Sequence, residues 1–185
     1  MRQLALIMAI LFGVSSAGGV VLAGQDDARL DALFDSLQTT EEYIVAAQAE
    51  RDIWAAWTDT GDPDLNRLMV KGSRAMVIGR FDMAMEAFDT IIEALPNLAE
   101  GWNKRATLYY LMGEPAASIR DIEKTLELEP RHFGALSGLG LVHLAAENYP
   151  AALDAFEAAL VVHPSMASAI RYVRELRLKL YGPEV

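Results

Sequence analysis

Three prolines, Pro96, Pro130 and Pro164, follow one another at intervals of 34 residues. A fixed period of this length constrains a chain more than any local propensity, because each period must be one supersecondary unit that buries its apolar face against the next. Cutting the chain on the prolines gives three equal units, residues 65–98, 99–132 and 133–166. Each holds two stretches of helical apolar periodicity separated by a turn signal: Gly79-Arg80, Gly113-Glu114 and Glu147-Asn148. Pro115 and Pro150 stand near the start of the following helix, where a missing N–H costs nothing.

Small residues recur where two antiparallel helices must cross closely, at Ala84, Ser118 and Ala152, and replacing Ala152 with Trp is expected to destabilise the fold. The third unit has Leu139-Gly140 in its first helix, Ala152 and Phe156 in its second, and Pro164 at its close. The first has Gly72, Ala84, Phe88 and Pro96, with Lys71 where leucine is usual and Ala75 in place of tyrosine. The middle unit has Trp102, Tyr109 and Pro130, with Ala106, Ser118 and Ile122 as chemical stand-ins. The set resembles the tetratricopeptide repeat (TPR) family, whose pattern is W-x2-L-G-x2-Y, then A-x3-F, then P. The resemblance covers about 100 residues and implies an all-α fold: a right-handed superhelix of three TPR helix pairs with an N-terminal helical cap and a C-terminal capping helix.

The flanks read as those caps. Ala169, Tyr172, Val173, Leu176 and Leu180 share one stripe of a helix within residues 167–185, with Arg171 and Arg174 turned away and Gly182-Pro183 ending it. In residues 24–64, Leu30, Leu33, Phe34 and Leu37 mark a short helix. Thr39 and Glu42 form a capping-box pattern for a second helix running to about Asp59, with Tyr43, Ala47, Trp54 and Trp57 on one stripe that Glu50 interrupts. Gly61-Asp62-Pro63 is the hinge into the first repeat.

Ahead of this, residues 1–23 read as a signal peptide: Arg2 precedes an uncharged run from Leu4 to Ala23, with Val21-Leu22-Ala23 as the site of cleavage and Ser15-Ser16-Ala17 as a second candidate. The expected location is the periplasm, the bacterial assignment resting on the resemblance to small exported TPR proteins. The alternative is an uncleaved inner-membrane anchor facing the periplasm, since twenty uncharged residues just span a bilayer. The chain has no cysteine, which removes disulfides, thiolate metal sites and a thiol nucleophile. A net charge of −10 repels phosphate backbones, so nucleic acid is not an expected partner.

No catalytic constellation emerges. His132, His143 and His163 do not pair at helical spacing and no carboxylate completes a metal triad, so neither metal nor cofactor is expected. Ser137-Gly138-Leu139-Gly140 superficially matches a nucleophile elbow, but it lies inside a helix with no preceding strand. Its glycines serve close helix packing or widen a groove. The chain is therefore not expected to be an enzyme. Trp54 and Trp57, on the irregular cap, are the alternative partner-facing residues.

The resemblance places function on the first helix of each unit, which lines the concave face. The family's groove positions fall on Asn66, Met69, Val70, Ser73, Met76 and Val77, then Asn103, Lys104, Thr107, Tyr110 and Leu111, then Ser137, Leu141 and Leu144. Asn66 and Asn103 are expected to bond the backbone of an extended peptide, and Lys104 to meet a carboxylate, so that Asn103→Ala with Lys104→Ala would weaken binding and leave stability unchanged. Some TPR proteins hold a partner's C-terminal carboxylate in a clamp of Lys, Asn and Arg. The matching positions are Met69, Ser73, Lys104, Gly134 and Gly138, of which only Lys104 is cationic, so this clamp is not expected. The expected function is a scaffold or assembly adaptor binding a protein or peptide in its groove. A small-ligand binder using the same groove is the second reading, and a groove filled by the protein's own cap helix is the reading without function.

Overall fold

A computed structural model describes residues 24–182, so the expected signal peptide lies outside the described residues. Among these, all regular structure is helical: a short 3-10 turn, then α1 (Leu30–Thr39), α2 (Tyr43–Thr58), α3 (Pro63–Val77), α4 (Phe81–Ala94), α5 (Ala99–Leu111), α6 (Pro115–Leu128), α7 (Phe133–Ala145), α8 (Tyr149–Val162) and α9 (Ala167–Tyr181). Helices α3 with α4, α5 with α6, and α7 with α8 form three hairpins, and α9 packs on α8.

The periodic residues do the same work in each hairpin. Gly79 and Gly113 hold φ of +74° and +76°, a left-handed turn that reverses the chain between the paired helices. The third repeat makes this turn with Glu147 at φ +56°. At the helix crossings Ala84, Ser118 and Ala152 are buried, and the Ser118 hydroxyl donates to the Ala106 carbonyl at 2.9 Å. On the opposing helices a Cβ at Gly72 would stand 2.8 Å from the Phe88 ring, and one at Gly140 2.7 Å from Phe156. Gly140 is therefore a packing glycine. Between repeats, Arg105 joins Asp89 of α4 at 2.8 Å to Asp121 of α6 at 2.7 Å.

Lys71, where the family pattern has leucine, is explained by its place. Arg67, Lys71 and Arg74 form the outer face of α3, at the register positions of Gly101, Arg105 and Leu108 on α5 and of Ala135, Leu139 and Val142 on α7. On α5 and α7 that face is largely buried against the preceding repeat; on α3 all three residues are exposed. The first repeat thus solvates its own end with cations, as a terminal repeat must if nothing stacks upon it.

The N-terminal pair is freed from that task and lies elsewhere. Instead of stacking on the outer face of α3, α2 runs across the N-terminal ends of α5 and α7 toward the α8–α9 turn. Leu30, Phe34, Leu37, Ala46, Ala49, Ile53 and Trp57 share one core with Phe133 and Val162. Arg131 secures α1, meeting Asp31 at 2.7 Å and lying 4.3 Å over the Phe34 ring.

Two local expectations are corrected here. The capping box does not form: Thr39 ends α1 and donates to the Asp35 carbonyl at 2.7 Å, while Glu42, the residue before α2, makes no side-chain cap. Thr40 supplies the local hydroxyl instead, accepting from the Glu42 N–H at 3.1 Å. The buried stripe of α2 is also rotated. It comprises Ala46, Ala49, Ile53, Ala56 and Trp57, with Tyr43 80% exposed, because alanines let α2 lie close against its neighbours.

Candidate functional site

Glu100, in the first turn of α5, is fully buried and gathers three partners. Lys104, one turn on, meets Oε1 at 2.9 Å; the Asn103 amide donates to Oε2 at 2.8 Å; and His132 Nε2 donates to Oε2 at 3.0 Å. His132 precedes α7, and its Nδ1 accepts the Ala135 N–H at 3.1 Å, which assigns the ring proton to Nε2. Burial pushes the Glu100 carboxyl up, but the Lys104 charge and the His132 hydrogen bond outweigh it and hold the group at about 2. Trp57 of α2 lies flat on the His132 ring, with centroids 4.0 Å apart and planes 9° from parallel. The polar cluster therefore ties α5 to α7 beneath a lid supplied by α2.

Trp54, one turn before Trp57, stands at the edge of this lid. Its ring lies 5.6 Å below the Lys104 ammonium and closes on Gly134, where a Cβ would come within 2.5 Å of the indole. It thereby walls a hollow of about 260 Å³ between α5 and α7, lined by Asn103, Thr107, Tyr110, Ser137 and Leu141 among others. Gly138 faces the same hollow, and a Cβ there would meet only Ile122 at 3.8 Å, so this glycine widens the space instead of serving a tight contact. A second hollow of about 500 Å³ lies between α2 and α3, lined by Asp59, Asn66, Met69, Val70 and Ser73. Lys104 borders both.

Of the fourteen groove positions read from the sequence, ten line the two adjoining hollows: Asn103, Lys104, Thr107, Tyr110, Ser137 and Leu141 the first, and Asn66, Met69, Val70 and Ser73 the second, which Lys104 also borders; Met76, Val77, Leu111 and Leu144 line neither. Their side chains are committed differently from the expectation. The Asn66 amide is spent on the hinge: Oδ1 accepts from the Thr60 N–H and hydroxyl at 2.8 and 2.7 Å, and Nδ2 donates to Asp59 at 2.9 Å. Met69 is buried in the first repeat's core. Asn103 and Lys104 hold Glu100, and the one cation bordering both hollows is already paired. Tyr110, Ser137 and Leu141 are presented to the first hollow, and Thr107 is exposed beside them. Glu100 and His132 were not among the expected site residues; of the two alternative partner-facing residues, Trp54 lines the first hollow and Trp57 is buried. Glu100 and His132 are 32 positions apart, and only the superhelix brings them together. Among the described residues no group of three or more His, Cys, Asp or Glu is arranged to hold a metal, and no helix is long and apolar enough to cross a membrane.

Comparison with known proteins agrees with this architecture. Residues 103–169 match the tetratricopeptide repeat family model. A TPR repeat-containing protein of Rhizobium etli is 37% identical over 154 residues, covering 83% of this chain and 76% of the relative. Among solved structures, the Sgt2 TPR domain from Aspergillus fumigatus superposes with a TM-score of 0.60 at 21% identity, covering 64% of this chain and 80% of that one. The first TPR of Spaghetti (RPAP3), bound to the HSP90 peptide SRMEEVD, gives 0.59 at 22%, covering 63% and 92%. The 34-residue register, the three hairpins and the relative's shared sequence lead to one assignment: the chain belongs to the tetratricopeptide repeat family.

Proposed function

We propose that this chain is a protein-interaction module, exported to the periplasm, that binds a segment of a protein partner along its concave face as a scaffold or assembly adaptor and catalyses nothing. The observation that carries this reading is the pair of adjoining hollows, each walled on one side by α2 and on the other by first helices of the repeats. Among solved TPR domains with this fold, the first TPR of Spaghetti is bound to an HSP90 peptide and the TPR2B domain of yeast Sti1 is in a pHsp70 complex.

The lining defines the segment's chemistry. With Lys104 paired to Glu100 and Asp59 on the rim, the groove offers no unpaired cation for a C-terminal carboxylate. It offers apolar surface at Val70 and Leu141 with hydroxyls at Thr107, Tyr110 and Ser137, which suits an uncharged internal segment in extended form. The test is affinity capture from an envelope extract, with the parent chain and with a Val70→Glu, Thr107→Glu variant. Both residues are exposed, so the fold should stand. The parent should retain a protein in stoichiometric amount and the variant should lose it. Equal capture by both, or a small molecule and no protein, refutes the proposal.

A further inference from the structure

Asn103 and Ser137 stand at one register position, 34 residues apart on α5 and α7, and face the first hollow together. They are only 7% and 8% exposed, yet each carries a polar atom left without a partner. Glu100 orients the Asn103 amide: a carboxylate only accepts, so Nδ2 turns to it at 2.8 Å and Oδ1 is directed away. Oδ1 has no hydrogen-bond partner among the described residues, and neither has the Ser137 hydroxyl. The neighbouring hydroxyls are spent, Thr107 donating to the Asn103 carbonyl at 3.0 Å and Ser118 to the Ala106 carbonyl at 2.9 Å. Neither open atom is sealed from solvent, so the small exposure of both residues is onto the hollow they line. Buried polar groups are nearly always paired, and two left open on facing helices are accounted for by a group that enters between them.

The walls define that group. Trp54 and Tyr110 offer ring surface and Leu141 aliphatic surface, while Gly138 leaves the space clear, which favours an aromatic ring. A volume of about 260 Å³ exceeds the roughly 150 Å³ that holds benzene, so a substituted ring fits. The ring must be neutral, since Lys104, the one ion lining the hollow, is already paired with Glu100, and a second charge would lose its hydration uncompensated. Of the side-chain rings with an apolar body, phenylalanine leaves both polar atoms bare and the tryptophan N–H can only donate. A phenol does both.

We infer that the hollow beside Trp54 is a pocket for a tyrosine side chain of the bound segment, its phenol O–H donating to Asn103 Oδ1 and its oxygen accepting from the Ser137 hydroxyl. The pocket lies in the proposed binding face, on which this assignment rests, and fixes one residue that the partner must supply.

The probes are N-acetyl-tyrosinamide and N-acetyl-phenylalaninamide, which differ by the one hydroxyl, titrated into the isotope-labelled chain and read from the amide shifts of Thr107, Ser137 and Gly138. Saturable binding of the tyrosine amide at millimolar concentration is expected, about tenfold or more tighter than that of the phenylalanine amide. Ser137→Ala should weaken the tyrosine amide about threefold or more and leave the phenylalanine amide unchanged, with Tm at or above the parent's because the hydroxyl has no partner in the free chain. Gly138→Leu should abolish both by filling the space, with helix content as the check on its fold. No saturation by the tyrosine amide, equal or tighter binding of the phenylalanine amide or of N-acetyl-tryptophanamide, or a Ser137→Ala chain that binds as the parent does overturns the inference. The capture experiment is separable from this one. A captured partner whose groove-bound segment lacks tyrosine overturns the pocket and leaves the proposed function standing, whereas failure to capture any protein refutes the proposed function whatever the titration gives.

Discussion

Replacing Lys104 with methionine should cost the fold about 2–3 kcal/mol at pH 7. The side chain looks like a groove cation, but its ammonium neutralises Glu100, which has no access to solvent. Removing one partner of a buried pair usually costs about 3–5 kcal/mol. Lys104 retains 22% exposure, so water reaches the vacated position in part and the lower end applies. A carboxyl held at about 2 in the folded state, against an unfolded value near 4.5, contributes about 3 kcal/mol at neutral pH. The sign follows from the lowered value: this stability is fully present above the unfolded value and is lost as pH falls from about 4.5 toward 2. Lys104→Met raises the Glu100 carboxyl, so the difference between parent and variant at pH 7 should narrow to about half by pH 3 and close only as pH falls below about 2. Urea unfolding at the two pH values, followed by the fluorescence of Trp54 and Trp57, measures both differences. Glu100→Gln added to Lys104→Met removes the stranded charge and should recover at least half the loss. A Lys104→Met variant within about 0.5 kcal/mol of the parent at pH 7, as for an ordinary surface change, would show that the ammonium is not structural.

Three further outcomes follow from the register. Glu147→Gly should stabilise by about 0.5–1 kcal/mol and raise Tm by about 1–4 °C, because it puts glycine at the left-handed position that Gly79 and Gly113 hold in the other repeats; an unchanged or lower Tm counts against a strained turn. Gly140→Ala should cost about 1–3 kcal/mol by driving a methyl into the Phe156 ring, whereas Gly138→Ala should be nearly neutral, which paired thermal melts will show. Trp57→Ala should cost about 3–5 kcal/mol and loosen α2, read as faster amide exchange in α1 and α2 than in α8.

What the sequence exposed was whatever repeats. Pro96, Pro130 and Pro164, the small crossing residues and the turn positions located the three hairpins because each is dictated by local geometry that recurs every 34 residues. The closing stripe of α9 was legible for the same reason. The docking of α1 and α2 was not. Periodicity alone points to a stripe through Tyr43 and Trp54, whereas α2 rests on the ends of two helices and a turn, and its alanines set the buried face. The groove positions were placed from the register, but what their side chains do depends on contacts across it. Nothing local to Lys104 tells that Glu100 is sealed beneath Trp57, or that Asn66 is occupied by the hinge at Thr60. Gly138 and Gly140 illustrate the limit well: two residues apart on one helix, one widens a hollow and the other admits a ring.

The concave face as the working surface is tested most directly by photocrosslinking in the native cell. A benzoylphenylalanine placed at Tyr110, which lines the first hollow, should capture a discrete protein partner, and the same group at Glu127, exposed on α6 away from both hollows, should not. Mass spectrometry of the Tyr110 adduct should locate the crosslink in an uncharged stretch of that partner. An adduct from position 127 with none from position 110 would contradict the account, and move the working surface off the groove.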